Sequence, residues 1–290
     1  MMFKTLTLQN LEEVRPYLMM LDSQTCDFTV GGMFMWRDYY KMEYAIEGDC
    51  LYSRLFSTTG DPYYNLPLSA DIRKSLISLL EKQGLPLKFC TIPEKHLSLF
   101  LGLGKKTVIF EQKDFADYLY LASDLANYPG KKYHGQRNLV NQFTRKYENW
   151  NFDFIDKNNI DRVKDFFFNV YLPSSTTGAT EFEENKKVLE AIENNDAYNF
   201  VGGILTIDDS IVGFTLNEIK GSTLFTHIEK ADRRISGAYQ MLVKLAASFF
   251  ATGSVEYINR EEDMGDLGLR QSKESYHPIK RLKKYVVEVY

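Results

Sequence analysis

The chain has 290 residues, 44% apolar and 26% charged, with a formal net charge of −4. That is enough for two domains with sizeable cores, and the acidic balance excludes a general nucleic-acid coat while leaving room for a local basic site. No apolar run reaches membrane-spanning length, the N-terminus lacks the apolar core of a secretory leader, and three scattered cysteines and four scattered histidines show no ligand spacing. A cytoplasmic, metal-free protein with no integral membrane segment is expected.

In chain order, "NLEEVRPYLMML" predicts a helix, and "CDFTVGGMFMWRDYY" packs its aromatics inward. "MEYAIEG" and "CLYSRLF" alternate around Gly48-Asp49 and predict a hairpin. "YYNLPL" predicts a strand. "SADIRKSLISLLEKQG" predicts a helix with Ser69 as N-cap, Ile72, Leu76, Leu79 and Leu80 as its apolar face, and Gly84 at its end. The strand "PLKFCTI", a short helix "PEKHLSLFL" and the strand "TVIFE" follow.

The second half repeats this order without visible sequence identity. Helices over "IDRVKDFFFNVYL" and "EFEENKKVLEAIENN" flank the polar "STTGATEFEEN", which overlaps the second and is expected to be a mobile loop. "FVGGILTI" and "IVGFTLNEI" predict a hairpin at Asp208-Asp209-Ser210, and "TLFTHIEK" a strand. "SGAYQMLVKLAASFFATG" is a helix with Ala238, Met241, Leu242, Leu245 and Phe249 inward, followed by the strand "VEYI". "KKYVVEVY" closes the set as its last strand. "ANYPGKK" marks the boundary, giving domains 1–127 and 128–290 of α+β design, each a mixed sheet flanked by helices.

Three stretches can carry chemistry. In "HIEKADRRISGAYQML" a strand runs into a helix through Arg233, Arg234, Ser236, Gly237 and Ala238. A glycine at a helix start lets backbone N–H groups approach an anion, and two arginines add bidentate phosphate contacts. The bland alternative is a plain helix-start glycine beside solvated arginines. In "YPGKKYHGQRNLVNQFTRKYENW", Lys131, Lys132, Tyr133, Arg137 and Asn138 mix base and aromatic character suited to a nucleotide or RNA end; a helix with its bases solvated is the alternative. In "NREEDMGDLGLRQSKESYHP", Asn259, Glu261 and Asp263 would share a face if extended. Glu261, Glu262 and Asp263 could orient an amine or take its proton, Arg270 and Lys273 could hold a carboxylate, and Tyr276 could protonate a leaving group. Glu229 lies on a strand exit and is expected to line the same site. An acidic surface loop is the competing reading. His227 reads as a satisfied, half-buried histidine.

The spacing Arg234-x-x-Gly237-Ala238 resembles the pyrophosphate loop of GNAT acyltransferases, with Tyr239 standing where a second small residue belongs. Four blocks, "CDFTVGGMFMWRDYY", "GKKYHGQRNLVNQF", "EKADRRISGAY" and "NREEDMGDLGLRQSKESYHP", resemble a bacterial family grouped with the C-terminal domain of phosphatidylglycerol lysyltransferases, similar in fold to the tandem GNAT domains of Fem-type transferases. The resemblance implies two GNAT-like domains moving an acyl or aminoacyl group to an amine or hydroxyl. The donor would be acyl-CoA, with aminoacyl-tRNA or a non-catalytic binding role as alternatives. The acceptor would be a small molecule or peptide-like, lying between the two halves, with Lys131 to Asn138 on the inter-domain side. Because "YNLPLSAD" has Pro67 and no glycine where the first domain's phosphate loop belongs, only the second domain is expected to bind the donor.

Overall fold

The computed structural model describes residues 1–56, 60–174 and 179–290. The expected mobile loop lies outside them over 175–178, and the helix Ala179–Glu193 takes up its remainder.

The strands are β1 (Lys4–Thr5), β2 (Glu43–Glu47), β3 (Cys50–Phe56), β4 (Pro62–Tyr64), β5 (Leu87–Pro93), β6 (Thr107–Glu111), β7 (Asp117–Leu121), β8 (Trp150–Phe154), β9 (Val201–Ile207), β10 (Ser210–Lys220), β11 (Thr223–Ala231), β12 (Tyr257–Asn259), β13 (Lys280–Leu282) and β14 (Lys284–Val289). One sheet runs β1-β2-β3-β4-β5-β14-β6 and the other β13-β7-β12-β11-β10-β9-β8. The hairpins form where the turn chemistry asks for them. β2 and β3 meet through Gly48-Asp49, with Gly48 at positive φ, and β9 and β10 through Asp208-Asp209, with both aspartates at positive φ, as two-residue primed turns require. The helix Ile72–Gln83 links the parallel pair β4 and β5, and Ala238–Phe250 links β11 and β12.

The repeated order is therefore present, with one departure. β4-β5-β14-β6 in the first sheet matches β11-β12-β7-β13 in the second, so the third strand of each quartet comes from the other half of the sequence. The division of the chain follows this exchange instead of a linear cut after residue 127. One compact unit is Met1–Asp117 with Glu262–Asp266 and Arg281–Tyr290; the other is Tyr118–Glu261 with Leu267–Lys280. The closing strand "KKYVVEVY" therefore belongs to the first unit.

Several local expectations shift. Asp71, whose side chain accepts from the Lys74 amide, caps the helix expected to start from Ser69, and Ser69 bonds Ser75 instead. Leu76, Leu79 and Leu80 are buried as expected, whereas Ile72 is half-buried. In Ala238–Phe250 the inward face is Ala238, Met241, Leu242, Leu245, Ala246 and Phe250, while Phe249 is 46% exposed.

The first unit contains a buried ionic cluster. Lys284 Nζ lies 2.6 Å from Asp117 Oδ1, 2.7 Å from Asp27 Oδ2 and 3.5 Å from Glu262 Oε2. It also donates to Cys26 Sγ at 3.4 Å, and the Cys26 amide donates to Asp117 Oδ2 at 2.8 Å. Cys26, Asp27 and Asp117 have the donor set of a cation site, and the cation at its centre is the Lys284 ammonium. Burial pushes the Asp117 carboxyl up to about 6 against the pull of Lys284. Burial also works against the Lys284 charge, but Asp117 and Asp27 outweigh it and hold the ammonium protonated above its usual range. Removing one partner of such a cluster leaves buried charge uncompensated. Lys284→Met is expected to lower the unfolding free energy by about 3–5 kcal/mol in urea denaturation, and adding Asp117→Asn should recover part of the loss. A Lys284→Met protein as stable as the parent would contradict this account.

Candidate active site

In the second unit, β11 and β12 are paired only from Thr223–Phe225 to Tyr257–Asn259. β11 then continues to Ala231, while the chain after Asn259 follows β7: the Arg260 amide donates to Tyr118 O and the Tyr118 amide to Glu261 O, both at 3.1 Å. Two parallel strands thus diverge, and the edge of β11 from Thr226 onward has no strand beside it among the described residues. Charged side chains bridge the gap. Arg260 Nη2 donates to Glu229 Oε1 at 2.8 Å. His227 Nδ1 stands 2.7 Å from Glu261 Oε1, and its Nε2 is 3.1 Å from Glu218 Oε2 on β10. Asn259, fully buried, accepts the Glu261 amide at 2.6 Å and supports a turn in which Glu261 has φ +57°.

Both ring nitrogens of His227 face carboxylates, so the imidazolium donates in both directions. Burial disfavours its charge, but the bonds to Glu218 and Glu261 outweigh this and raise its pKa to about 9. The histidine read from sequence as satisfied and half-buried is so: both its ring nitrogens are bonded, one of them to Glu261, a carboxylate assigned to the site. Arg260 lies over the Tyr276 ring, 4.6 Å from its centroid, and its Nη1 is buried with no hydrogen-bond partner among the described residues.

At the far end of β11 the chain turns into the helix Ala238–Phe250. Asp232 accepts the Arg234 amide at 2.9 Å and holds the Arg234 guanidinium with Nη2 at 2.7 Å, which makes a compact loop. Among the described residues no side chain caps the helix at Gly237, and Arg233, Arg234 and Ser236 lie in the turn that leads into it. Gly237 also has a packing reason to be glycine. Its φ is +86°, and a Cβ would stand 2.4 Å from Leu139 O and 3.0 Å from Phe143 Cβ of the helix His134–Lys146.

The acidic run does not act as one wall. Asn259, Glu261 and Asp263 were expected to share a face, but β12 ends at Asn259 and the left-handed Glu261 breaks the extended run. Glu261 stays in the second unit, whereas Glu262 and Asp263 belong to the first. Glu262 joins the Lys284 cluster. Asp263, fully buried, accepts from Arg281 at 3.2 Å and from the Gly265 amide at 2.9 Å. Tyr276 is buried, with its phenol pushed up to about 12 chiefly by burial, and its carbonyl accepts the hydroxyl of Tyr133.

Most residues of the basic stretch serve their own fold. Tyr133 is fully buried, Lys132 pairs with Asp124 at 3.0 Å, and Arg137 donates to the carbonyls of Tyr128 and Gly130. Asn138 contacts His134, and Lys131 lies in the turn before the helix. Lys273 is buried with its carbonyl accepting from Tyr120, and Arg270 is half-buried on the helix Leu267–Glu274. Sequence reasoning missed Glu218 and Arg260. Arg260 was readable as the charge beside Asn259 at a strand end; Glu218 comes within reach only through the β10–β11 register.

A family model described as phosphatidylglycerol lysyltransferase, C-terminal, matches residues 19–288. The chain belongs to this family. No curated protein matches it. Among solved structures, a conserved protein of unknown function from Bacteroides thetaiotaomicron is 29% identical with a TM-score of 0.87, covering 99% of each chain. L-PGS from Bacillus licheniformis is 15% identical with a TM-score of 0.60, over 95% of this chain and 90% of that one. FemX is 10% identical with a TM-score of 0.57, over 99% and 97%. The fold is the expected tandem GNAT-like α+β design, and the family is that of the lysyltransferase C-terminal domain. No described helix is long and apolar enough to cross a membrane.

The His227 arrangement sets a pH dependence. Its folded pKa of about 9 exceeds the usual 6.5, so its stabilisation is complete below pH 6.5 and is lost as pH rises through about 9. Urea unfolding of the parent protein should lose about 3 kcal/mol across this window relative to His227→Gln. Parallel pH profiles for the two proteins would rule out the doubly bonded imidazolium.

Proposed function

We propose that the second unit transfers an acyl or aminoacyl group from a phosphate-bearing donor to an amine or hydroxyl acceptor. The observation that carries this reading is the divergence of β11 from β12 beside the uncapped start of Ala238–Phe250. Donor phosphates would lie against the amides near Ser236 and Gly237, with Arg233 and Arg234 as counter-charges. The acyl carbon would enter the gap, where β11 amides on the edge with no strand beside it among the described residues would polarise its carbonyl. Glu261 would orient the acceptor and take its proton, a role supported by the His227 bond that fixes its direction. The acceptor nitrogen or oxygen bonds to the carbonyl carbon, and the thiol or ribose hydroxyl of the donor leaves.

Two donors suit this chemistry. Acyl-CoA fits a helix-start phosphate site. Aminoacyl-tRNA is favoured by the exposed bases Lys131, Arg145 and Lys146 of the basic, aromatic segment. Calorimetric titration with CoA and with an RNA hairpin carrying a non-hydrolysable aminoacyl end should give binding to one of them. Arg233→Ala should weaken it about tenfold, as expected for one charge-assisted phosphate contact. Binding of neither would reject the transferase reading and leave a binding protein on this fold.

A further inference from the structure

β8 is the outer strand of the second sheet. Its bonding pattern fixes what its open side offers. The Ile155 amide donates to Gly202 O at 2.9 Å and the Asp208 amide to Asn149 O at 3.1 Å. With the register Trp150↔Ile207 to Phe154↔Gly203, Asn151 and Asp153 turn their backbone groups toward β9, and Trp150, Phe152 and Phe154 turn theirs outward. The side chains of these three residues share one face, where Phe152 stacks on Phe249 at 5.3 Å and Phe154 meets Phe249 edge-on at 5.8 Å. Phe154 is 56% exposed and Phe249 46%. The strand has no Pro, no Lys and no bulge, the usual devices that blunt an edge.

We propose that this edge pairs with β8 of a second copy of the chain, antiparallel about a two-fold axis at Phe152. The segment Trp150-Asn151-Phe152-Asp153-Phe154 is self-complementary in that register. Phe152 faces the partner's Phe152, and Trp150 faces the partner's Phe154, each with outward backbone groups, giving about six hydrogen bonds, two per bonded pair. Asn151 faces the partner's Asp153, so each carboxylate meets an amide donor and no two acids oppose one another. The exposed Phe154 and Phe249 extend the contact on one side, and the isologous geometry closes at two copies. Registers centred on Asn151 or Asp153 also bring outward backbone groups together, but the first sets Asn151 against Asn151 and leaves Asp153 without that amide, and the second sets Asp153 against Asp153, so side-chain complementarity favours the register centred on Phe152.

Sedimentation of the full chain over a dilution series tests this. A reversible monomer–dimer equilibrium is expected. Asn151→Asp places two carboxylates opposite each other twice in the interface and should raise the dissociation constant about tenfold; Asn151→Lys should lower it. Circular dichroism melts of both variants should match the parent, because Asn151 is exposed. A monomer at every concentration, or a dimer that responds to neither charge change, overturns the proposal.

Discussion

The first unit depends on the Lys284 ammonium. An isolated ammonium is not tolerated in a dry interior, so its position dictates that Asp27, Asp117 and Glu262 converge on it. These residues come from distant parts of the chain. Asp117 is the last residue of the first unit before the chain passes to the second, and Glu262 is the residue at which it returns. β14, which starts at Lys284, lies between β5 and β6 as an inner strand. The ionic cluster thus fixes, inside one unit, the ends of the segments whose exchange defines the fold.

The second unit uses charge differently. There the ion pairs lie across a gap between strands that have separated. Main-chain pairing is what normally neutralises polar backbone, and its loss beside β11 is tolerable only where water, side chains or a ligand replace it. His227 and Glu261, with Arg260 and Glu229, supply polar groups at that point. Nη1 of Arg260 has no hydrogen-bond partner among the described residues. The proposed transfer would use this polar gap between β11 and β12, with the helix start at Gly237 at its far end.

Gly237 illustrates how two explanations can share one residue. Its place at the start of a helix after a strand matches a phosphate loop, and that match led from the sequence to the correct fold family. Its immediate requirement is steric, since Leu139 O occupies the space of a side chain and the backbone is left-handed. A motif letter therefore located the element without by itself establishing a ligand contact.

Local pattern determined the hairpins, both crossover helices and most of their apolar faces, Ile72 and Phe249 excepted, because turn chemistry and side-chain period act over a few residues. It also marked the strand end after "VEYI" as a place of charge. The destinations of those charges were decided only by tertiary structure. Glu261, Glu262 and Asp263 are adjacent in sequence yet bond to His227, Lys284 and Arg281 respectively, because a left-handed residue redirects the chain between one unit and the other. The exchange of β7 and β14 was equally hidden: an apolar strand reads the same whichever sheet receives it. The physical reason is that a sequence specifies which side chains must leave water, whereas their partners are set by long-range strand register and by where buried charges find compensation.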